Sequence, residues 1–262
     1  NNIFFGIKGK NFDGNKFVNK AFKNGASVSI NENKKINKFK NDIYVKNSLK
    51  TFSEIAKLVR ASSNISSIAI TGSSGKTSLK EMLGQMMSKI FQTSYSKESF
   101  NNKYGVPISL FNINKKDKIG IFEVGMDKKG EIDFLTKKIM PNVGVITNIS
   151  YAHIKNFQNL KGIANAKSEI INNIPQHGSI ILNADDNFFK FLKSKSKKKK
   201  LRIISFGINK KSNVSLINIK RRKFNSVIYI KNNEKKLKFI IKKNLENYIY
   251  NILSTLAVIS VY

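Results

Sequence analysis

The 262-residue chain contains no cysteine and no tryptophan, three prolines, two histidines and only 16 acidic residues against 48 basic ones. Without cysteine there is no disulfide framework, no thiolate metal site and no cysteine nucleophile. That absence fits a reducing compartment, and a cytoplasmic location is expected. No apolar run reaches the roughly 18–20 residues that span a bilayer, and the N-terminus lacks a signal-peptide pattern. A membrane span is therefore not expected. Asn1 is not an initiator methionine, so the chain is expected to be processed or cut from something longer.

The shortage of acid leaves a formal charge of +32. Alone, that surplus points to nucleic acid or an anionic membrane surface. It is nearly all lysine, however, and it is spread along the chain together with abundant Asn, Ile and Phe. A strongly AT-biased coding sequence produces the same drift. The charge thus permits recruitment of anionic small substrates without naming a partner, and no nucleic-acid partner is expected. At 40% hydrophobic residues the chain can bury a sizeable core in one or two domains.

Residues 1–48 alternate short apolar runs with glycine and read as strand, loop, helix, strand, with Gly25 placed to cap the helix over 17–22. An amphipathic helix follows, with Ser48 as its expected N-cap. The polar stretch 62–67 suggests a domain boundary, giving domains 1–64 and 65–262. Beyond it, apolar runs at 68–71, 119–124, 143–149 and 179–183 alternate with helical periodicity at 77–91, 130–139 and 160–174. This predicts an α/β fold with a mainly parallel sheet. Residues 212–241 read as an added antiparallel meander, and the last 17 residues as a helix. The run "KSKSKKKK" at 193–200 reads as a solvated loop between a helix and a strand.

The chemistry concentrates at "ITGSSGKTSLKEM", residues 70–82. A buried strand, a glycine turn and a helix in that order present backbone N–H groups to a phosphate. The spacing is shorter than in the common P-loop, which has a glycine where this chain has Ile70. Lys76 suits neutralisation of phosphate charge, and the Thr77 hydroxyl suits a Mg²⁺ ion. Glu123 closes the next buried strand, on the side where open α/β sheets bind ligands; it reads as a Mg²⁺ ligand or as an ordinary strand-end charge. His153 follows the strand at 143–149 and reaches the same edge, whereas His177 in a turn reads as a surface residue. Lys167 lies in a helix among small and apolar residues, either snorkelling to solvent or held beside a charge partner. The amides of Asn101 and Asn102 can donate and accept toward sugar or peptide groups.

Taken in order, these segments resemble the Mur ligase family, in the branch that adds D-alanyl-D-alanine to UDP-N-acetylmuramoyl-tripeptide. The family's short G-x-x-G-K-T loop accounts for Ile70. Further matches are "NNKYGVP", "EVGMDKKGEI", "ITNISYAHIKNFQNLKGIANAKSEI" and "LNADD". The stretch "GIKGKNFDGNKFVNKAFKNGA" resembles the part of the first domain that helps hold the UDP-sugar. The resemblance implies that Gly72, Ser73, Ser74, Gly75, Lys76, Thr77 and Ser78 cradle the ATP phosphates. It implies that Thr77, Glu123 and His153 hold Mg²⁺, joined by Lys167 as a carbamylated lysine, and that Lys76, His153 and Lys167 serve catalysis. Asn101 and Asn102 would face the muramoyl-peptide. Asn247 and Asn251 keep the spacing of the family's adenine contacts, while Glu246 replaces its usual histidine.

The implied reaction is ATP-dependent ligation through an acyl phosphate, a step of peptidoglycan precursor synthesis, with small-molecule substrates and a monomeric enzyme. The family's C-terminal Rossmann-type domain and the opening of its first domain have no counterpart in this sequence. The chain thus reads as a fragment, expected to be inactive alone. Competing readings are another Mur-type amide ligase of the third-residue-adding or folylpolyglutamate kind, a basic nucleic-acid-binding NTPase, and a catalytically dead binding remnant.

Overall fold

A computed structural model describes residues 2–34, 39–151, 156–208 and 211–262. It divides into two compact units, Asn1–Val59 and Arg60–Tyr262. The division falls five residues before the boundary expected from the polar stretch, because Arg60 is tied into the second unit. Its Nε donates to the carbonyl of Ile139 at 2.7 Å, and Nη2 donates to Ser67 Oγ at 2.8 Å and to the Met140 carbonyl at 3.2 Å.

The first unit carries a three-stranded sheet of β1 (Asn2–Phe5), β2 (Ala26–Asn31) and β3 (Asp42–Tyr44), paired in parallel in that order. Helix α1 (Val18–Lys23) connects β1 to β2, and Gly25, at φ +91°, reverses the chain after it. Helix α2 (Ser48–Ala61) already includes Ser48. Its cap is Asn47, whose Oδ1 accepts from the N–H of Lys50 at 2.8 Å. The cap lies one residue before the expected Ser48, whose own N–H is taken by Glu32 Oε1 at 2.8 Å.

The second unit is an α/β domain. Its parallel strands are β4 (Ser66–Thr71), β5 (Thr93–Tyr95), β6 (Ile119–Glu123), β7 (Val143–Ile146), β8 (Ser179–Asn183), β9 (Arg202–Gly207) and β10 (Val214–Arg221). The strand β11 (Asn225–Asn232) pairs antiparallel with β10, and β12 (Lys235–Lys242) antiparallel with β11, as the meander reading anticipates. Among the described residues the sheet has nine strands in the order β12-β11-β10-β9-β8-β7-β4-β6-β5. The strands β4, β6 and β7 are buried along nearly their whole length. That is why they read as continuous apolar runs and not as alternating ones. The three-residue β5 offers no such run and escapes sequence reading.

Helices α3 (Lys76–Met87) and α8 (Ile249–Ile259) pack together in one layer, where Leu79, Leu83, Leu253 and Leu256 meet the buried side of β4, β9 and β10. A second layer comprises α4 (Gly105–Phe111), α5 (Glu131–Ile139), α6 (Leu160–Lys167) and α7 (Phe189–Lys198). The helix expected over 160–174 tightens at Lys167 into a 3-10 helix, Ser168–Asn173. The lysine run 193–200 is not a loop: most of it forms the last turns of α7. Cations there oppose the negative end of the helix dipole, and Lys195 Nζ donates to Ser168 Oγ at 2.8 Å. Among the described residues no helix is long and apolar enough to cross a membrane.

From β4 the chain crosses to β5 on one side, whereas β7 leads to β8 on the other. The carboxyl ends of β4 and β7 therefore flank the point where the winding reverses, where such sheets leave a crevice for ligands.

Arg60 is 6% exposed and satisfies carbonyls at the end of α5 that have no helical partner. Arg60→Ala should lower stability by about 3 kcal/mol, because it removes several buried hydrogen bonds and leaves Ser67 Oγ as the remaining donor to both carbonyls. Arg60→Lys should recover only part of the loss, since an ammonium cannot span the same fork. Urea unfolding of the three proteins checks both.

Candidate active site

Strand β4 runs directly into the turn Gly72-Ser73-Ser74-Gly75, and α3 starts at Lys76. Gly72 (φ +153°) lies against β7, and a Cβ there would sit 1.8 Å from Thr147 Oγ1. No side chain fits. Gly75 holds a left-handed conformation, φ +76°, immediately before the helix. The first bond from within α3 to the turn runs from the N–H of Leu79 to the Gly75 carbonyl at 2.9 Å. The N–H groups of Lys76, Thr77 and Ser78 precede it and have no intrahelical acceptor, the arrangement that binds anions. Lys76 Nζ folds back to donate to the Gly72 carbonyl at 3.0 Å. Burial lowers the pKa of this half-buried lysine, and the Glu123 carboxylate partly opposes that shift.

Glu123, at the end of β6, is 1% exposed. Its Oε2 accepts from Thr77 Oγ1 at 2.7 Å, and its Oε1 accepts from Asn101 Nδ2 at 2.7 Å. Ser99 Oγ lies 3.4 Å from Thr77 Oγ1. Thr77 and Glu123 thus offer two oxygens 2.7 Å apart, near the spacing of about 3 Å between adjacent corners of a Mg²⁺ octahedron with ligands at roughly 2.0–2.1 Å. The pair fits a small hard cation. His153 lies outside the described residues, and among the described residues no cluster of three His, Cys, Asp or Glu forms a cage.

Lys167, the last residue of α6, is 2% exposed. Burial and, second, the positive charge of Lys76 lower its pKa to about 7, so a large share of the amine is neutral near neutral pH. Two residues on, Glu169 Oε1 accepts from the N–H of Gly130 at 2.8 Å and Oε2 from that of Asp133 at 3.2 Å. That carboxylate caps the positive end of α5 and joins it to the Lys167 segment.

Two cavities flank the loop. One, of about 450 Å³, is lined by Lys76, Asn101, Asn102, Tyr104, Asp127 and Glu131, among others. Asn102 lines it while its Oδ1 accepts from the N–H groups of Tyr104 and Gly105 at 3.0 Å, fixing the start of α4. The other, of about 390 Å³, is lined by Ser74, Gly75, Ser78, Asn148, Asn247, Tyr248, Tyr250 and Asn251, among others. Asn251 Nδ2 donates to the Gly75 carbonyl at 3.4 Å. Glu246 is not among the lining residues. Its carboxylate turns away to Ser226 Oγ and to Arg221 Nε, the latter at 2.7 Å, and these bonds lower its pKa. In the first unit a separate cavity of about 550 Å³ is lined by Phe4, Phe5, Ile7, Phe12, Phe17 and Lys20, among others.

Thus Lys76, Thr77, Glu123 and Asn101 converge, Lys167 lies close enough for Lys76 to shift its pKa, and Asn247 and Asn251 border the other side of the loop. Ser99, Thr147, Asn148 and the two tyrosines were not singled out by the sequence. Thr147 and Asn148 carry only the signal of a polar residue just past an apolar strand, which is frequent in any chain, and Ser99 and the tyrosines carry not even that.

The buried ammonium of Lys167 carries a pH signature. Below about pH 7 both folded and unfolded chains hold its proton, and burial of the charge costs stability. Between about 7 and the ordinary lysine pKa of 10.5 the folded chain releases the proton first, so stability rises with pH. Lys167→Met should therefore raise the melting temperature most below pH 7, with the gain shrinking toward pH 10. A pH-independent difference between the two melting curves would contradict this assignment.

The described geometry has counterparts. A model of the Mur ligase middle domain matches residues 70–259. The UDP-N-acetylmuramoyl-tripeptide--D-alanyl-D-alanine ligase of Buchnera aphidicola subsp. Baizongia pistaciae is 38% identical over 83% of this chain and 47% of its own length. MurF from Acinetobacter baumannii superposes with a TM-score of 0.90 at 28% identity, over 99% of this chain and 56% of that one. MurF from Thermotoga maritima, solved in complex with ADP, gives a TM-score of 0.88 at 24% identity over 99% and 60%; at that identity it speaks for the fold alone. The chain spans about half the length of the curated relatives it matches. With the middle-domain model matching most of its length, the chain belongs to the Mur ligase family.

Proposed function

We propose that this chain provides the nucleotide- and acceptor-binding part of an ATP-dependent ligase that adds D-alanyl-D-alanine to UDP-N-acetylmuramoyl-tripeptide in peptidoglycan precursor synthesis. The observation that carries the reading is the convergence of Lys76, Thr77, Glu123 and Asn101 on the loop at the carboxyl end of β4. The names of the matched relatives favour this amine over a third-residue amino acid or a glutamate.

ATP phosphates would lie on the first N–H groups of α3 with Lys76 Nζ beside them, displacing its bond to Gly72. Purine and ribose would enter the cavity bordered by Asn247, Asn251, Tyr248 and Tyr250. Thr77 and Glu123 would hold Mg²⁺, with His153 and a carbamylated Lys167 as further members of the set; the ion supplies charge neutralisation for phosphoryl transfer. The neutral fraction of Lys167 supports carbamylation, because only the free amine attacks CO₂, losing one proton to give the carbamate. The tripeptide carboxylate would enter the cavity beside Asn101 and Asn102. Its oxygen attacks the γ-phosphorus, the bond to the β-phosphate oxygen breaks, and ADP leaves. The neutral amine of D-alanyl-D-alanine then adds to the acyl carbon, loses a proton and expels phosphate. Lys76 offsets negative charge as it develops, and Asn101 orients Glu123, so catalysis rests on positioning and electrostatics. The first unit's aromatic cavity, with Lys20 at its edge, suits a UDP-sugar.

Titration of the chain with ADP and Mg²⁺ should show saturable binding that Lys76→Ala weakens at least tenfold. With ATP and UDP-N-acetylmuramoyl-tripeptide, phosphate release in the complete enzyme should respond to D-alanyl-D-alanine. A response to a single amino acid instead would favour the rival ligases, and stimulation by RNA or DNA the nucleic-acid reading.

A further inference from the structure

Two consecutive N–H groups of the loop do not face the space a phosphate would occupy. Those of Ser73 and Ser74 both donate to Asn148 Oδ1, at 3.1 and 3.0 Å, and that of Ser73 is shared with the backbone carbonyl of Asn148 at 3.0 Å. Two successive amides converging on one point form a concavity that ordinarily binds an anion, and here the chain's own amide oxygen fills it. Asn148 Nδ2 donates in turn to Ser74 Oγ at 2.8 Å. One side chain thus accepts twice and donates once, a combination that an ionised Asp, which has no donor, cannot make.

The rest of the segment after β7 reinforces the grip. Ser73 Oγ donates to the Ser150 carbonyl at 3.0 Å and accepts from the Ser150 N–H at 2.8 Å. Thr147 Oγ1 donates to the Ser74 carbonyl at 2.7 Å. The segment is itself held from the turn after β8, where Asp186 Oδ2 accepts from the N–H of Ile149 at 2.6 Å.

We infer that Asn148 is a positioning residue for phosphate binding. It satisfies the first half of the loop internally and fixes the turn, so that the N–H groups of Lys76 to Ser78 are left as the phosphate donors. The inference rests on the nucleotide reading above, but its structural half can be tested without nucleotide.

Hydrogen exchange of the segment 70–79 in the free chain should be faster in Asn148→Ala than in the parent, most of all at Ser74, because the Ser73 N–H keeps the backbone carbonyl of residue 148. In Asn148→Asp it should stay near the parent, because one carboxylate oxygen can still accept from both N–H groups. Binding of ADP and of adenosine, each with Mg²⁺, then reads the functional half. In Asn148→Ala the ADP affinity should fall roughly tenfold, the loss expected when a pair of hydrogen bonds no longer pre-forms the site, while adenosine binding stays within about twofold. Asn148→Asp should also weaken ADP selectively, through charge repulsion. Unchanged exchange in Asn148→Ala, or an equal loss for ADP and adenosine, overturns the inference. If the parent binds no ADP but exchange behaves as expected, the nucleotide reading fails and the loop-holding role stands.

Discussion

The carboxylate of Glu123 lies at the end of a buried strand and is itself almost wholly inaccessible. A charge so placed requires hydrogen-bond partners on both oxygens, and that requirement organises the site. One oxygen takes the hydroxyl of Thr77, the second residue of the helix that follows the phosphate loop. The other takes the amide of Asn101, in the segment that leads into α4. A single carboxylate thereby sets the distance between loop, strand end and the cavity that Asn101 lines. Lys76, whose pKa is lowered by burial against the pull of the same carboxylate, supplies the opposing charge.

A second constraint works through contact. Thr147 leaves no room for any side chain at residue 72, so β4 and β7 approach closely at their carboxyl ends. This approach places Asn148 and Ser150 under the turn. The strand order makes it possible, because the chain winds in opposite directions from these two strands, and an open crevice forms between elements that are otherwise closely paired. The tyrosines and asparagines near the start of α8 then wall the crevice from the helix layer.

Lysine serves three different ends in this lysine-rich chain. Most lysines are solvated. Lys80 is wholly buried, and its ammonium is held by the carbonyls of Ser96 and Glu98 and by Glu81, which tethers α3 to the segment preceding Asn101. Lys167 is buried beside another cation and titrates near neutrality. Composition cannot separate these cases, since one codon bias produces them all. Burial and neighbours can.

The α/β class, the parallel core, the added meander and the phosphate loop were legible in the sequence, because each depends on local order. A fully buried strand has to be continuously apolar, and a turn that approaches a neighbouring strand has to carry glycine. Thr77, Glu123, Asn101 and Lys167 could be chosen from strand ends, helix periodicity and family resemblance, but their hydrogen bonds could not. Other features were decided only by packing. Asn47 and not Ser48 caps α2, because it is the Asn47 Oδ1 that reaches an N–H of the first turn, that of Lys50. The lysine run became helix, because α7 could bury Leu192 and Ser196 while its charges faced solvent and the helix end. Glu246 left the cavity edge, because Arg221 and Ser226 on neighbouring strands offered it better partners. Asn148 met the loop across 74 residues of sequence. Local sequence sets which elements form and which residues end them. Which of those ends share one carboxylate or one amide oxygen depends on strand order and burial, which are properties of the whole sheet.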